Sequence, residues 1–206
     1  RPPRSTLFPY TTLFRSIMKV GLYFGSFNPV HHGHLIIASF IRQYSDLDQI
    51  WLVISPQNPF KPSQGLLNEY HRFHLVQLAL EGEKDLKAVD IEFRLPKPSY
   101  TIHTLAYLEE KYPTHEFHIV MGSDSFQNLD KWKNADVLMA RYAFYIYPRP
   151  GFPVRTDLPV KAMVVEAPLL EISATRIRDM VRAGKSIRYL VPDTVHEEIA
   201  RNHYFR

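Results

Sequence analysis

Lys19-Val20-Gly21-Leu22-Tyr23-Phe24 runs directly into Gly25-Ser26-Phe27-Asn28-Pro29-Val30-His31-His32-Gly33-His34. A short apolar run of strand length gives way to a turn of small residues, a proline and two histidines spaced His-x-Gly-His. From His34 to Tyr44 the spacing becomes helical, with Leu35, Ala38 and Ile41/Arg42 marking two faces. Strand, tight turn, helix is where an open α/β sheet binds a nucleotide. Phosphates approach the backbone closely at glycine and are favoured at the positive end of a helix. Two imidazoles there can donate to the same anion. A polar helix start or a fortuitous metal site would also use histidine, and the preceding strand with Gly-Ser-Phe-Asn-Pro is what favours the phosphate reading.

The alternation continues outward from this segment. Gln49–Ser55, Ala88–Phe93, Glu116–Met121, Tyr142–Tyr147 and Ala162–Glu166 read as further strands. Helices are predicted near Asn68–Leu80, with Asn68 as cap, and over Tyr100–Tyr112, closed by Pro113. Then the pattern changes: Ser173–Ala183 and Asp193–Asn202 read as two helices with no strand between them. The expected fold is α/β, a doubly wound, mostly parallel Rossmann-like sheet with a C-terminal helical segment.

The chain has 206 residues, 45% of them hydrophobic and 22% charged, enough for one ordinary core. It has no cysteine, which excludes disulfides and Cys-based metal sites and is compatible with a cytoplasmic location. No apolar run approaches membrane-span length, so no membrane partner is expected. The net charge is +4, but Arg1, Arg4 and Arg15 supply three of those charges with no acid beside them. The remainder is nearly balanced, which argues against nucleic acid as a partner. Residues 1–17 lack sustained periodicity, and Thr6 to Ser16 looks like an in-frame translation of a sequencing adapter. They are expected to be a non-native tail before a start at Met18, with 18–206 as one domain. The ten histidines are scattered, and His71/His74 at i, i+3 make a weak metal site.

A second cluster lies at Glu171-Ile172-Ser173-Ala174-Thr175-Arg176-Ile177-Arg178. Ser173 suits a helix cap or first turn, with hydroxyls and free N–H groups available to an oxyanion. Arg178, about one turn on, could grip a β- or γ-phosphate as a fork. Plain capping plus a solvated arginine is the alternative for this segment taken alone.

Gly-x-Phe-x-Pro-x-His-x-Gly-His paired with Ile-Ser-x-Thr-x-Ile-Arg resembles the cytidylyltransferase-like nucleotidyltransferase superfamily, and within it the bacterial nicotinate-nucleotide adenylyltransferases. The resemblance covers 18–206. It implies transfer of AMP from ATP to nicotinate mononucleotide, with Mg²⁺ bound through the ATP phosphates. It implies that His31, His34 and Arg178 are catalytic, orienting and neutralising the triphosphate and the leaving pyrophosphate, with help from Ser173 and Thr175. Gly25, Ser26 and Phe27 would contact phosphates and adenosine. Pro98-Ser99-Tyr100-Thr101 resembles the family's carboxylate-holding stretch, Ser99 to Thr101 sitting where an anion is welcome at a helix start. Gly122-Ser123-Asp124 ends the fourth strand, where Asp124 could accept from a ribose hydroxyl. Trp132 would stack on the pyridine ring. Arg149-Pro150-Gly151 matches the family's Arg-Pro-Gly. Lys61 stands near the family's basic loop residue, although Asn58-Pro59-Phe60-Lys61 lacks the usual histidine. Gly25-Ser26 and Asn28 are small or isosteric departures from Gly-Gly or Gly-Thr and from Asp. The alternatives are an adenylyltransferase for the nicotinamide nucleotide or phosphopantetheine, and a non-catalytic nucleotide-binding protein on the same fold.

Overall fold

The computed structural model describes residues 17–57, 65–168 and 170–206. Six strands form one parallel sheet: β1 Met18–Gly25, β2 Gln49–Ile54, β3 Leu86–Val89, β4 His115–Gly122, β5 Ala143–Tyr147 and β6 Lys161–Val164. Their order is β3-β2-β1-β4-β5-β6, so the winding reverses between β1 and β4. β1 pairs with β2 from Val20–Gln49 to Gly25–Ile54, and with β4 from Met18–His115 to Tyr23–Val120. Its carboxyl end therefore opens the crevice that such sheets use for ligands.

The helices are α1 His32–Gln43, α2 Glu69–Ala79, α3 Thr101–Lys111, α4 Ser123–Phe126, α5 Ala135–Arg141, α6 Ala174–Arg182 and α7 Asp193–Arg201. The inner strands β2, β1, β4 and β5 are buried on both faces along most of their length, while the edge strand β6 is exposed, and alternate residues of the inner strands feed two cores. Tyr23, Ile50, Leu52, Ile54 and Val120 pack against Ile37 and Ile41 of α1, Leu75 of α2, Ile177 of α6 and Val195 and Ile199 of α7. Val20, Leu22, Val53, Ile119 and Ile146 pack against Leu105 and Leu108 of α3 and Leu138 of α5. The C-terminal pair is tied to α2 by Thr194 Oγ1 donating to the Leu78 carbonyl at 3.2 Å, and by a 2.9 Å contact of the Tyr204 hydroxyl with His71.

Strand and helix boundaries fall close to those expected, with one correction. The third strand ends at Val89, and the expected strand residues Ile91–Phe93 instead enter a 3₁₀ turn, Ile91–Arg94. Its partner β2 has only Ile50–Val53 to offer it, matched with Leu86–Val89. The turn also carries Glu92 inward to hydroxyl partners, which a continuing edge strand would not provide. The short helices α4 and α5 between β4 and β5 were not apparent from periodicity. Asn68 caps α2 as expected, its side chain accepting from Tyr70 N at 2.9 Å.

Gly21 lies in β1 on the face that packs against Leu47, Ile50 and Val120. A β-carbon there would sit 2.8 Å from Ile50 Cδ1, 2.8 Å from Leu47 Cδ1 and 3.0 Å from Val120 Cγ2. All three neighbours are fully enclosed, so they cannot move aside. Gly21→Val is expected to destabilise the fold by about 2 kcal/mol or more through overpacking. A lowered urea midpoint at unchanged slope would report it, and an unchanged midpoint would contradict it.

Candidate active site

The turn after β1 is held in an uncommon backbone state. Phe27 has φ +44°, a left-handed conformation that costs a bulky residue about 1–2 kcal/mol. Gly25 makes room for it: a β-carbon at residue 25 would lie 2.8 Å from the Phe27 ring. The buried Asn28 then braces the turn from its far side. Its amide donates to the Gly65 carbonyl at 3.0 Å and its Oδ1 accepts from Leu67 N at 3.1 Å.

His31 caps α1, and His34 sits in the first turn as expected. Their rings stack with centroids 3.7 Å apart. His34 Nδ1 accepts from the His31 backbone N–H at 3.3 Å, so the proton of a neutral His34 ring lies on Nε2. His31 is 5% exposed, and its Nδ1 is buried with no hydrogen-bond partner among the described residues. Burial, followed by the positive charge of Arg149 and the neighbouring His32, lowers its pKa to about 4. In this geometry the His31 ring is an uncharged hydrogen-bonding group at neutral pH.

Arg178 reaches the same turn from α6. One Nη donates to the Asn28 carbonyl at 2.8 Å and the other to Thr175 Oγ1 at 3.2 Å. Its Nε is buried with no partner among the described residues. Desolvation lowers its pKa most, with Arg182 adding and Asp179 opposing, yet a guanidinium stays charged at neutral pH. Ser173 is the cap of α6, its Oγ accepting from Arg176 N at 3.2 Å. The capping reading of Ser173 is thus the one the geometry shows.

A pocket opens on the opposite face of the sheet, lined by Phe24, Ser55, Glu92, Ser99, Tyr100, Thr101, Trp132 and Lys133 among others. It gathers Ser99, Tyr100, Thr101 and Trp132, four expected site residues from two distant segments. Thr101 starts α3, so the positive end of an eleven-residue helix faces this space. Lys133 lies over the Tyr100 ring, 4.5 Å from its centroid. Gly122 and Asp124 lie at the end of β4 between the two faces. A β-carbon on Gly122 would clash with Asp124 Oδ1, so the bare glycine is what admits that carboxylate. Arg149 is anchored through its backbone N–H to Ser123 Oγ at 2.8 Å. Lys61 lies outside the described residues.

Two site features were missed in the sequence. The first is Glu92, which is 2% exposed and accepts from Ser99 Oγ at 2.6 Å and Thr104 Oγ1 at 2.9 Å. Burial raises its pKa, while those hydroxyls and Ser55 oppose the shift. The second is Arg72 of α2, 1% exposed, whose guanidinium donates to four backbone carbonyls. Burial lowers its pKa to about 10, with Glu69 opposing. Among the described residues no group of three or more His, Cys, Asp or Glu side chains is arranged to hold a metal ion. No helix among them is long and apolar enough to cross a membrane.

Residues 22–180 match the model of a family described as cytidylyltransferase-like. The chain is 49% identical over 191 residues to a curated protein of Cytophaga hutchinsonii named "Probable nicotinate-nucleotide adenylyltransferase", covering 91% of this chain and 98% of the relative. A relative of the same name in Flavobacterium johnsoniae is 46% identical over 192 residues, covering 92% and 100%. Among solved structures, the nicotinic acid mononucleotide adenylyltransferase of Plasmodium falciparum complexed with NaAD shares the fold. It matches with a TM-score of 0.77 at 20% identity, over 91% of this chain and 97% of that one.

The depressed His31 pKa has a definite consequence for stability. Between pH 6.5 and about 4 the unfolded chain takes up a proton that the folded His31 refuses. The contribution is complete above pH 6.5 and is lost as pH falls toward 4, about 3 kcal/mol in all. Urea midpoints across this range should fall more steeply for the wild type than for His31→Gln. Parallel curves would refute the assignment.

Proposed function

The chain belongs to the cytidylyltransferase-like family, and from that membership we propose that it is a nicotinate-nucleotide adenylyltransferase, moving AMP from ATP to nicotinate mononucleotide. The observation that carries the reading is the pairing of two unlike half-sites across the end of β1. One is a phosphate-type turn with His31, His34 and Arg178, and the other is an aromatic pocket with Trp132 at a helix start. Nucleotidyl transfer needs this pairing, because it joins a ring-bearing phosphate to a triphosphate and asks the protein chiefly for alignment and charge.

An oxygen of the mononucleotide 5′-phosphate attacks the α-phosphorus of ATP in line. The new P–O bond forms as the bond from the α-phosphorus to the bridging oxygen breaks, and that oxygen leaves with its electron pair on pyrophosphate. The attacking phosphate is already ionised, so no general base is required. Gly25, Ser26 and Phe27 present backbone to the triphosphate beside the positive end of α1. His34 offers Nε2–H, and neutral His31 offers its ring as an uncharged partner. Arg178 supplies the fixed positive charge on the leaving side, assisted by Thr175, Ser173 and Arg149. Mg²⁺ would accompany ATP and would spread negative charge off the phosphates; among the described residues no group of three or more His, Cys, Asp or Glu side chains is arranged to hold it.

In the second half-site, Trp132 covers the pyridinium ring, and the first N–H groups of α3, at Tyr100 and Thr101 behind Ser99, receive the carboxylate. Asp124, admitted by Gly122, accepts from a ribose hydroxyl.

Pyrophosphate release with Mg²⁺ and ATP, offered nicotinate mononucleotide and nicotinamide mononucleotide side by side, tests the reading. Strong preference for the acid is expected, since the carboxylate is what the helix start receives. Trp132→Ala should raise KM for the mononucleotide by about tenfold, in line with loss of a 1–2 kcal/mol stacking contact, and leave KM for ATP unchanged. Equal rates with acid and amide would overturn the substrate assignment. Silence with both would overturn the activity.

A further inference from the structure

We infer that Arg72, outside both half-sites, is a positioning residue that sets the phosphate turn and the ring pocket in register; the inference rests on the function proposed above. Its Nε donates to the Leu67 carbonyl at 2.8 Å. One Nη donates to the carbonyls of Ser26 at 2.6 Å and Ser55 at 2.9 Å, and the other to Pro56 at 3.0 Å. Ser26 belongs to the phosphate turn after β1. Ser55 follows β2 and lines the ring pocket, as does Gln57, next to Pro56. One rigid, planar group therefore holds both walls of the crevice and the entry to α2 from a single point.

Three features argue that this is more than a filled core position. First, among the described residues every hydrogen-bond partner is a main-chain carbonyl and none is a carboxylate, so the guanidinium carries a buried charge for the geometry of its fork. Second, it grips the residue immediately before Phe27, whose left-handed backbone persists only where the surroundings over-determine it. Third, Asn28 holds Leu67 by its N–H while Arg72 holds Leu67 by its carbonyl, so the turn and the α2 entry are fixed from two directions. A lysine keeps the charge but cannot span four carbonyls at these angles. Relaxation of one wall relative to the other separates the attacking phosphate from the α-phosphorus, and a displacement of about 1 Å costs a positioned reaction roughly 100-fold.

The test compares Arg72→Lys, Arg72→Gln and Leu75→Ala in the full chain. Leu75 lies on the same helix, is fully buried in the core and does not line the ring pocket, so its truncation loosens α2 by packing. Rates are read with ATP, Mg²⁺ and nicotinate mononucleotide at a temperature where circular dichroism shows each variant folded. The expected result is a 10- to 100-fold loss of kcat in Arg72→Lys, with either KM changed less than about threefold, and kcat within about twofold of wild type in Leu75→Ala. Arg72→Gln reads the same split should the lysine variant fail to fold. Wild-type kcat in a folded Arg72 variant overturns the inference, and so does an equal loss in Leu75→Ala. A wild-type protein that releases no pyrophosphate overturns the proposed function and the inference with it.

Discussion

Strand β1 is hydrogen-bonded along both edges, and the rest of the architecture follows from that double pairing. With β2 on one side and β4 on the other, the chain winds outward in two directions from one strand. The connections must then cover opposite faces, α1 and α2 on one and α3 on the other. Only at the carboxyl end of β1 do loops from both halves meet without a helix between them. The turn leaves from β1 itself, while the ring pocket is assembled from Phe24 of β1, Ser55 and Gln57 after β2, Glu92, the start of α3, and Trp132 and Lys133 before α5. Residues as far apart in sequence as Phe24, Tyr100 and Trp132 line one space because this strand has two neighbours.

The electrostatics of the crevice are divided between kinds of donor. Arg178 contributes permanent charge, α1 and α3 contribute the partial charge of their first turns, and the stacked histidines contribute direction. The neutral state of His31 is a consequence of its enclosure beside Arg149. Two imidazolium ions stacked at 3.7 Å would repel, so neutrality is what lets the pair lie so close. Orientation thus falls in part to His31, which is uncharged at neutral pH, and charge to the guanidinium of Arg178.

Much of this could be read from the chain. The run from Lys19 to His34 fixes strand, turn and helix in order, because an apolar run, a glycine and a change of period each have one local interpretation. Ser173 was legible as a cap, and Ser99 to Thr101 as a helix start, for similarly local reasons. Trp132 and Tyr100 could be placed in one site only through resemblance, since their meeting depends on strand order. Arg72 and Glu92 were not legible. A charged residue on a helix or a strand reads as solvent-facing, and the carbonyls and hydroxyls that justify burying these two come from segments distant in sequence. The 3₁₀ turn at Ile91–Arg94 was hidden because alternating apolar residues suit a strand and a tight turn equally.

The carbonyl-only company of Arg72 reaches beyond catalysis. Arg72 and Arg178 hold their positive charges against neutral oxygens, next to a helix end of the same sign. On the proposed function, a multivalent oxyanion that enters the crevice would meet this positive charge. Binding to the folded state alone raises its apparent stability by mass action. Phosphate, sulfate and pyrophosphate in the solvent then become part of the thermodynamic description of this protein. A melting temperature recorded in phosphate buffer would then carry a contribution from bound anion that one recorded in an amine buffer lacks.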